Sequence, residues 1–536
     1  MRSVNLCLTI SAVSLAAAQS VPFFLGRSGG MYGLERRQSS TITWPYQTFV
    51  SEPDFLPPIP EVNKTKATAP GYQFLAQQGT DCAQQAAMIM TDDGELVWQS
   101  NPKSPFPATN FGPQTLNGKP VLVYNMAVGV PIVDSGALTY SIVQIFDDTY
   151  TLLHNVSVED PTFVFAAGNW SSLIDSHEAY ITARNTLVVP AYNITPWDLS
   201  PVGGPTDGWL MDSVFYEVTI PEGDILYTWR SSDWIAITDT FVDLDAVYGF
   251  GNATGWAWDY FHINSIQAWG EDGFILSARN TFDVLFVNKT TNSIEWRLRG
   301  NDGGDFALDE EGQFSWQHDV RLHEYDGELL LTMFDNKNTL TPPFVPSEGH
   351  LLALDLTAMT ARIRGVYFDR NAIVAAQFAG SMQVDFTGEE EKYVVVGHGS
   401  QPVTEEYDLD GTLRMSWRFG PADPNAVAPG IANYRAFKSF WKGYPTTSPA
   451  VKACKTGNGT DIFVSWNGAT EVTSWTVYAG QSEYDMAESI SAPKTGFETK
   501  ISLDAVATMV KVQAKGDVHD ERFTAKTSMP VTAQDC

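Results

Sequence analysis

Three of the eight histidines in this 536-residue chain open comparable runs of sequence. They are His177 in His177-Glu178-Ala179-Tyr180-Ile181, His262 in His262-Ile263-Asn264-Ser265-Ile266, and His318 in His318-Asp319-Val320-Arg321-Leu322. In a fourth copy the slot holds Met382. A neutral imidazole can attack an electrophile, and near neutral pH it can accept or donate a proton. Several imidazoles together can also ligate a metal. Each could instead tie a turn to a neighbouring strand by a buried hydrogen bond. His398, in Gly397-His398-Gly399-Ser400, ends a strand of a following unit and could join the group.

Equal slots matter only if the fold brings them together. From Tyr72 onward the chain reads as short β-rich runs closed by turns. Thr91-Asp92-Asp93-Gly94-Glu95-Leu96-Val97-Trp98 is strand, Asp-Gly turn, strand, and similar units stand at 269–277, 323–331 and 407–413. No helical apolar period persists. The units recur at an irregular spacing of roughly 55 to 85 residues, longer than a WD repeat. Residues 72–445 hold about six of them, which predicts a six-bladed β-propeller. In such a ring the innermost strand of each blade lines a central channel, so His177, His262 and His318 converge on one mouth. The composition shifts at Trp441-Lys442-Gly443-Tyr444-Pro445. Residues 446–536 then carry new alternating strands, a small fibronectin III-like β-sandwich. The fold class is all-β.

The N-terminus reads as a secretory signal over residues 1–18, with Arg2, an apolar run from Val4 to Leu15 and Ala16-Ala17-Ala18. Residues 19–71 form a leader or pro-segment and an extended arm, with a dibasic Arg36-Arg37 as a second processing candidate. Sequons begin at Asn63, Asn155, Asn169, Asn193, Asn252, Asn288 and Asn458, which places those segments at the surface of a secreted glycoprotein. Removing Cys7 with the signal leaves three cysteines. Cys454 and Cys536 bracket the last domain and are expected to pair, leaving Cys82 over. A net charge of −30 repels nucleic acid and anionic lipid. No apolar run is long enough to span a membrane.

Several strings together resemble the fungal arylsulfotransferase-like family. They are D-S-H-E-A-Y-I-T (175–182), H-I-N-S-I (262–266), Q-H-D-V-R-L (317–322), F-D-N (334–336), G-H-G-S-Q-P-V-T-E-E-Y (397–407), Y-R-A-F-K (434–438), W-K-G-Y-P (441–445) and S-W-N-G-A-T-E-V (465–472). The match runs from about Tyr72 to the C-terminus. Bacterial aryl-sulfate sulfotransferases, which this family is similar to, are secreted propellers in which a channel histidine takes the sulfuryl group without a nucleotide. The resemblance therefore implies transfer between phenolic compounds, with no cofactor and no metal, and a phenolic or sulfated small molecule as ligand. It implies His177, His262 and His318 as catalytic residues. Arg435, His398 and Asn264 become substrate-binding candidates, since an arginine fork suits sulfuryl oxygens. Alternation puts Arg321 on the strand face opposite His318, and Arg279 is equally a partner for the acidic surface. Where relatives show an Asp-His pair this chain has Asp233-Trp234, and where they show Gly-Trp-Gly it has His398 between glycines. Two other readings are open: a non-catalytic binding or scaffold propeller, and a secondary-metabolism enzyme using the same channel for another reaction.

Overall fold

The structure, a computed structural model, describes residues 44–102, 107–128, 139–163, 171–340, 342–386, 392–423, 430–517 and 519–536. The expected signal residues, Arg36-Arg37 and Asn169 lie outside them. The helices among the described residues are single 3-10 turns. The rest is strand and turn, as the short β-branched and aromatic runs require.

Among the described residues, six sheets lie between Glu61 and Ser439. The second begins with Ala108–Leu116, the third with Tyr180–Ile181, the fourth with Ile263–Trp269, the fifth with His318–Tyr325 and the sixth with Ser381–Asp385. Each then proceeds outward through antiparallel hairpins. Asp-Gly turns make several of these hairpins. Asp326 and Gly327, at φ 53° and 77°, join His318–Tyr325 to Glu328–Asp335. Both residues need positive φ in a two-residue hairpin turn that follows the strand twist.

The first sheet, with Tyr72–Gln78, Ala87–Met90 and Leu96–Gln99, takes its inner edge from over 350 residues later in the chain, through Ala432–Asn433 and Phe437–Ser439. The sixth takes its outer strand from the front, because Glu61–Lys64 pairs with Leu413–Arg418. The reading that left 19–71 outside the repeat therefore needs correction at Glu61–Lys64. Neighbouring sheets touch in a closed order, first to sixth and back to the first. This is a β-propeller architecture. Its core lies between facing sheets: Phe215, Trp229, Phe261 and Phe274 between the third and fourth, Phe74, Trp98, Phe111 and Tyr124 between the first and second. Fully burying one such ring contributes about 1.5–3 kcal/mol.

Two further sheets, of three and four strands, share a core around Ile462, Val464, Trp475, Val477, Val510 and Val512. Cys454 and Cys536 are joined there by a disulfide, S–S 2.09 Å, closing a stretch of 82 residues. Cys82 is free, and burial pushes its thiol well up.

Candidate functional site

The fold brings His177, His262 and His318 together. His177 precedes Tyr180–Ile181 by three residues, His262 precedes Ile263–Trp269 by one, and His318 is the first residue of its strand. The rings of His177 and His262 meet edge to face at 4.9 Å. Tyr434 bridges the group, its ring 5.5 Å from His177 and 6.3 Å from His318. All three histidines are buried.

Two of them have carboxylate partners that the sequence reading missed. Nδ1 of His177 donates to Asp175, two residues earlier. Nδ1 of His262 donates to Asp259 Oδ2 at 2.5 Å. A proton fixed on Nδ1 leaves Nε2 as a lone pair. In His262 that Nε2 is buried and has no partner. Burial holds the His262 pKa below the ordinary histidine value, although Asp259 works the other way. The backbone of His262 sits at φ 59°, a left-handed conformation that costs a non-glycine residue about 1–3 kcal/mol and clusters at functional sites. His318 is engaged at both nitrogens. Nδ1 donates to Asn336 Oδ1 at 2.7 Å, and Nε2 accepts from the Ala379 N–H at 3.2 Å. Burial first, and Arg279 second, keep it neutral well below the usual range.

Arg279 is the cation of this site. It is fully buried and makes no ion pair among the described residues. Its guanidinium donates to Asn280 Oδ1 at 2.9 Å, the Gln377 carbonyl at 3.3 Å and the Tyr248 hydroxyl at 3.3 Å, while Nε has no partner. Such a charge, desolvated beside neutral imidazoles, can seat an anion. It lies 4.8 Å from the Trp316 ring. From there a line of rings runs outward. Trp316 meets Phe282 at 4.7 Å, and Phe282 stacks on Phe241 at 4.3 Å. Phe241 is 42% exposed, so the line reaches solvent. Trp316 and Phe282 both sit at positive φ, 60° and 54°. The neighbouring strings Ser277-Ala278-Arg279-Asn280 and Met333-Phe334-Asp335-Asn336 occupy equivalent places, so repeat alignment could have singled out Arg279.

Other expected residues fall elsewhere. Arg435 is no free clamp: it pairs with Glu178 at 2.8 Å and Asp319 at 3.4 Å and donates to the carbonyls of His177 and Asn264. Arg321 joins the same network through Glu178 and Asp319. A β-bulge between His318 and Arg321 breaks the alternation that set it on the opposite face. Burial alone would raise the Glu178 carboxyl, but the two arginines outweigh it and hold it low. Asn264 spends its Nδ2 on the Gln317 carbonyl at 2.7 Å, tying the fourth sheet to the fifth. His398 does not join the cluster, because its Nε2 pairs with Glu405 at 2.9 Å and its ring abuts Phe334. Among the described residues no group of His, Cys, Asp and Glu is placed to hold a metal ion.

Residues 112–420 match the family model described as arylsulfotransferase (ASST). No curated protein matches the chain in sequence. Among solved structures, a Bacteroides caccae protein of unknown function is similar at 11% identity and TM-score 0.36, over 68% of this chain and 99% of that one. A Penicillium chrysogenum α-L-arabinanase complexed with arabinobiose is similar at 10% identity and TM-score 0.33, over 79% and 93%. The Bombyx mori GH32 β-fructofuranosidase BmSUC1 gives 8% identity and TM-score 0.30, over 81% and 88%.

Proposed function

The chain belongs to the arylsulfotransferase family, and from that premise we propose that it transfers a sulfuryl group between phenolic compounds through His262. The observation that carries this reading is the unpartnered, buried Nε2 of an Asp-held His262 in a cluster whose buried guanidinium, Arg279, has no counter-ion. The aryl sulfate enters with its ring along the Trp316–Phe282–Phe241 line and its sulfate toward Arg279. Nε2 attacks sulfur, the S–O bond to the phenol breaks, and an N–S bond forms. The phenolate departs and takes its proton from water. An acceptor phenol gives its proton to the Nε2 lone pair of His177, which Asp175 holds through Nδ1, attacks sulfur as the N–S bond breaks, and releases His262; the His177 proton then passes to water. Arg279 holds the charge of the equatorial oxygens throughout, and preorganised donors of this kind typically supply a factor of about 10²–10³.

The six sheets are the blades of the propeller, and the C-terminal pair of sheets is a β-sandwich appended to it. The protein acts outside the cell. Exposed Asn63, Asn155, Asn252 and Asn458 and a disulfide suit an oxidising, glycosylating route. Asn193 is dropped as a glycan site because its side chain is buried in Leu187–Trp197, and Asn288 is only half-exposed. No helix among the described residues is long and apolar enough to cross a membrane.

Turnover of 4-nitrophenyl sulfate with phenol as acceptor tests the reading. His262→Ala is expected to abolish transfer, with the melting temperature kept within a few degrees. Full activity in a folded His262→Ala protein, with loss in His318→Ala, would move the nucleophile to His318. Activity in both would leave a binding propeller.

A further inference from the structure

A cavity of about 780 Å³ lies where the first two sheets meet the C-terminal sheets, and nothing in the sulfuryl chemistry uses it. Its volume falls among small-molecule sites, which span roughly 300–1,000 Å³ and favour domain junctions. We propose that this cleft binds a neutral carbohydrate.

Its polar groups ask for a hydroxyl-rich ligand. Gln99 is 1% exposed, and its Oε1 is buried without a partner, although its Nε2 donates to Gln84 Oε1 at 2.7 Å. A buried orphan acceptor costs about 1–3 kcal/mol, which a ligand hydroxyl would recover. Tyr124 lines the same space. Burial pushes its pKa up to about 12, so it stays a neutral donor. Gln144 stands beside it, with its Nε2 on Asn155 Oδ1 at 2.9 Å.

The apolar lining is aromatic. Phe146 stacks on Tyr124 at 5.4 Å and is half-buried, so part of its ring is open to the C–H face of a sugar. Trp466 adds a second ring from the C-terminal sheets. Trp98 is a wall and no platform, since Phe111 and Tyr150 stack on it at 5.5 and 5.1 Å. Charge decides against an anion: among the described residues the lining includes no lysine or arginine and one carboxylate, Glu52. Among those described residues an aryl sulfate finds no counter-ion.

The cleft is also preformed. Asn467 and Gln99 exchange reciprocal hydrogen bonds of 2.9 Å across the junction, and Tyr150 donates to the Gly468 carbonyl at 2.9 Å. A Cβ at Gly443 would stand 2.1 Å from the Tyr150 hydroxyl. Walls this closely fitted lose little freedom on binding.

Calorimetric titration of the full chain with maltotriose, cellotriose, xylotriose and arabinotriose tests the proposal, with 4-nitrophenol and 4-nitrophenyl sulfate as aromatic controls. Binding of at least one trisaccharide below about 10 mM is expected, weakened about tenfold or more in Phe146→Ala and in Gln99→Leu. Sulfuryl transfer should be unchanged in Phe146→Ala, which separates this site from the histidine cluster. No trisaccharide binding, binding unaffected by both variants, or displacement by 4-nitrophenol alone would overturn it.

Discussion

At the scale of single residues, the Asp259–His262 pair sets the pH response. A nucleophilic imidazole must be unprotonated, and burial places the His262 pKa below the ordinary value of about 6.5. The acidic limb of kcat/KM is therefore expected below pH 6.5. Asp259 raises the His262 pKa, so Asp259→Asn should move that limb to lower pH while cutting the plateau rate about 10-fold or more, as general acid–base partners do. A limb that stays put would detach Asp259 from the nucleophile. Stability follows the same sign. His262 and His318 have lowered folded pKa values, so the unfolded chain binds more protons, and their share of stability is lost as pH falls through about 6.5. Arg279 makes a second case. A buried guanidinium without a carboxylate costs folding energy, so Arg279→Met is expected to raise the melting temperature by ~1 °C, for about 1 kcal/mol, while transfer falls about 100-fold or more. A drop in both would make Arg279 a structural cation. The histidines were legible in the sequence because equal slots in a repeat become neighbours around an axis. Asp175 and Asp259 were legible only as Asp-x-His and Asp-x-x-His spacings. Choosing between Arg279 and Arg435 was beyond the sequence, since what disarms Arg435 is Glu178, a residue 257 positions away.

Among elements, the inner strands are held by the ion network beneath the histidines. Glu178 precedes the third sheet's first strand, Asp319 and Arg321 belong to the fifth, and Arg435 leads into Phe437–Ser439 in the first. Glu178 Oε2 also accepts the Ile266 N–H of the fourth sheet at 3.2 Å, and Asp319 Oδ2 the Met382 N–H of the sixth at 3.2 Å. One network thus ties five sheets at the axis. Removing one member strands the others, which for buried pairs costs about 3–5 kcal/mol. Arg435→Met is therefore expected to lower the melting temperature by roughly 3–6 °C. A substrate clamp would behave differently, with KM raised and the melting temperature intact. The hairpins were readable because Asp-Gly turns and alternating runs are local signals. The pairing of Tyr72–Gln78 with Phe437–Ser439, and of Glu61–Lys64 with Leu413–Arg418, was not, because register between strands over 350 residues apart leaves no local trace.

For the whole molecule, the ring closure and the charge act together on catalysis. Glu61–Lys64 from the front of the repeat and Phe437–Ser439 from its end are stitched into the ring, so the inner strands keep a common axis and the histidine cluster keeps its spacing. Around that fixed site the surface carries most of a net charge of −30. The substrate proposed here is itself an anion, and its one buried counter-charge, Arg279, lies behind that acidic exterior. Fields of this kind usually steer ligands of opposite sign and lose their effect as salt screens them. Here the sign is reversed: the exterior repels aryl sulfate at long range, while the short contact with Arg279 is shielded from solvent. Raising ionic strength from about 0.01 M to 0.15 M shortens the Debye length from roughly 30 to 8 Å, which removes most of the long-range repulsion. The kcat/KM for 4-nitrophenyl sulfate is therefore expected to rise about 2–5-fold over that interval. Under rate-limiting acceptor, a neutral phenol should show no such rise. Initial rates measured across the salt series with each reactant limiting in turn make the comparison. A fall in the aryl-sulfate rate with salt would mean that a positive approach surrounds the site, and that the acidic exterior lies away from the route of entry.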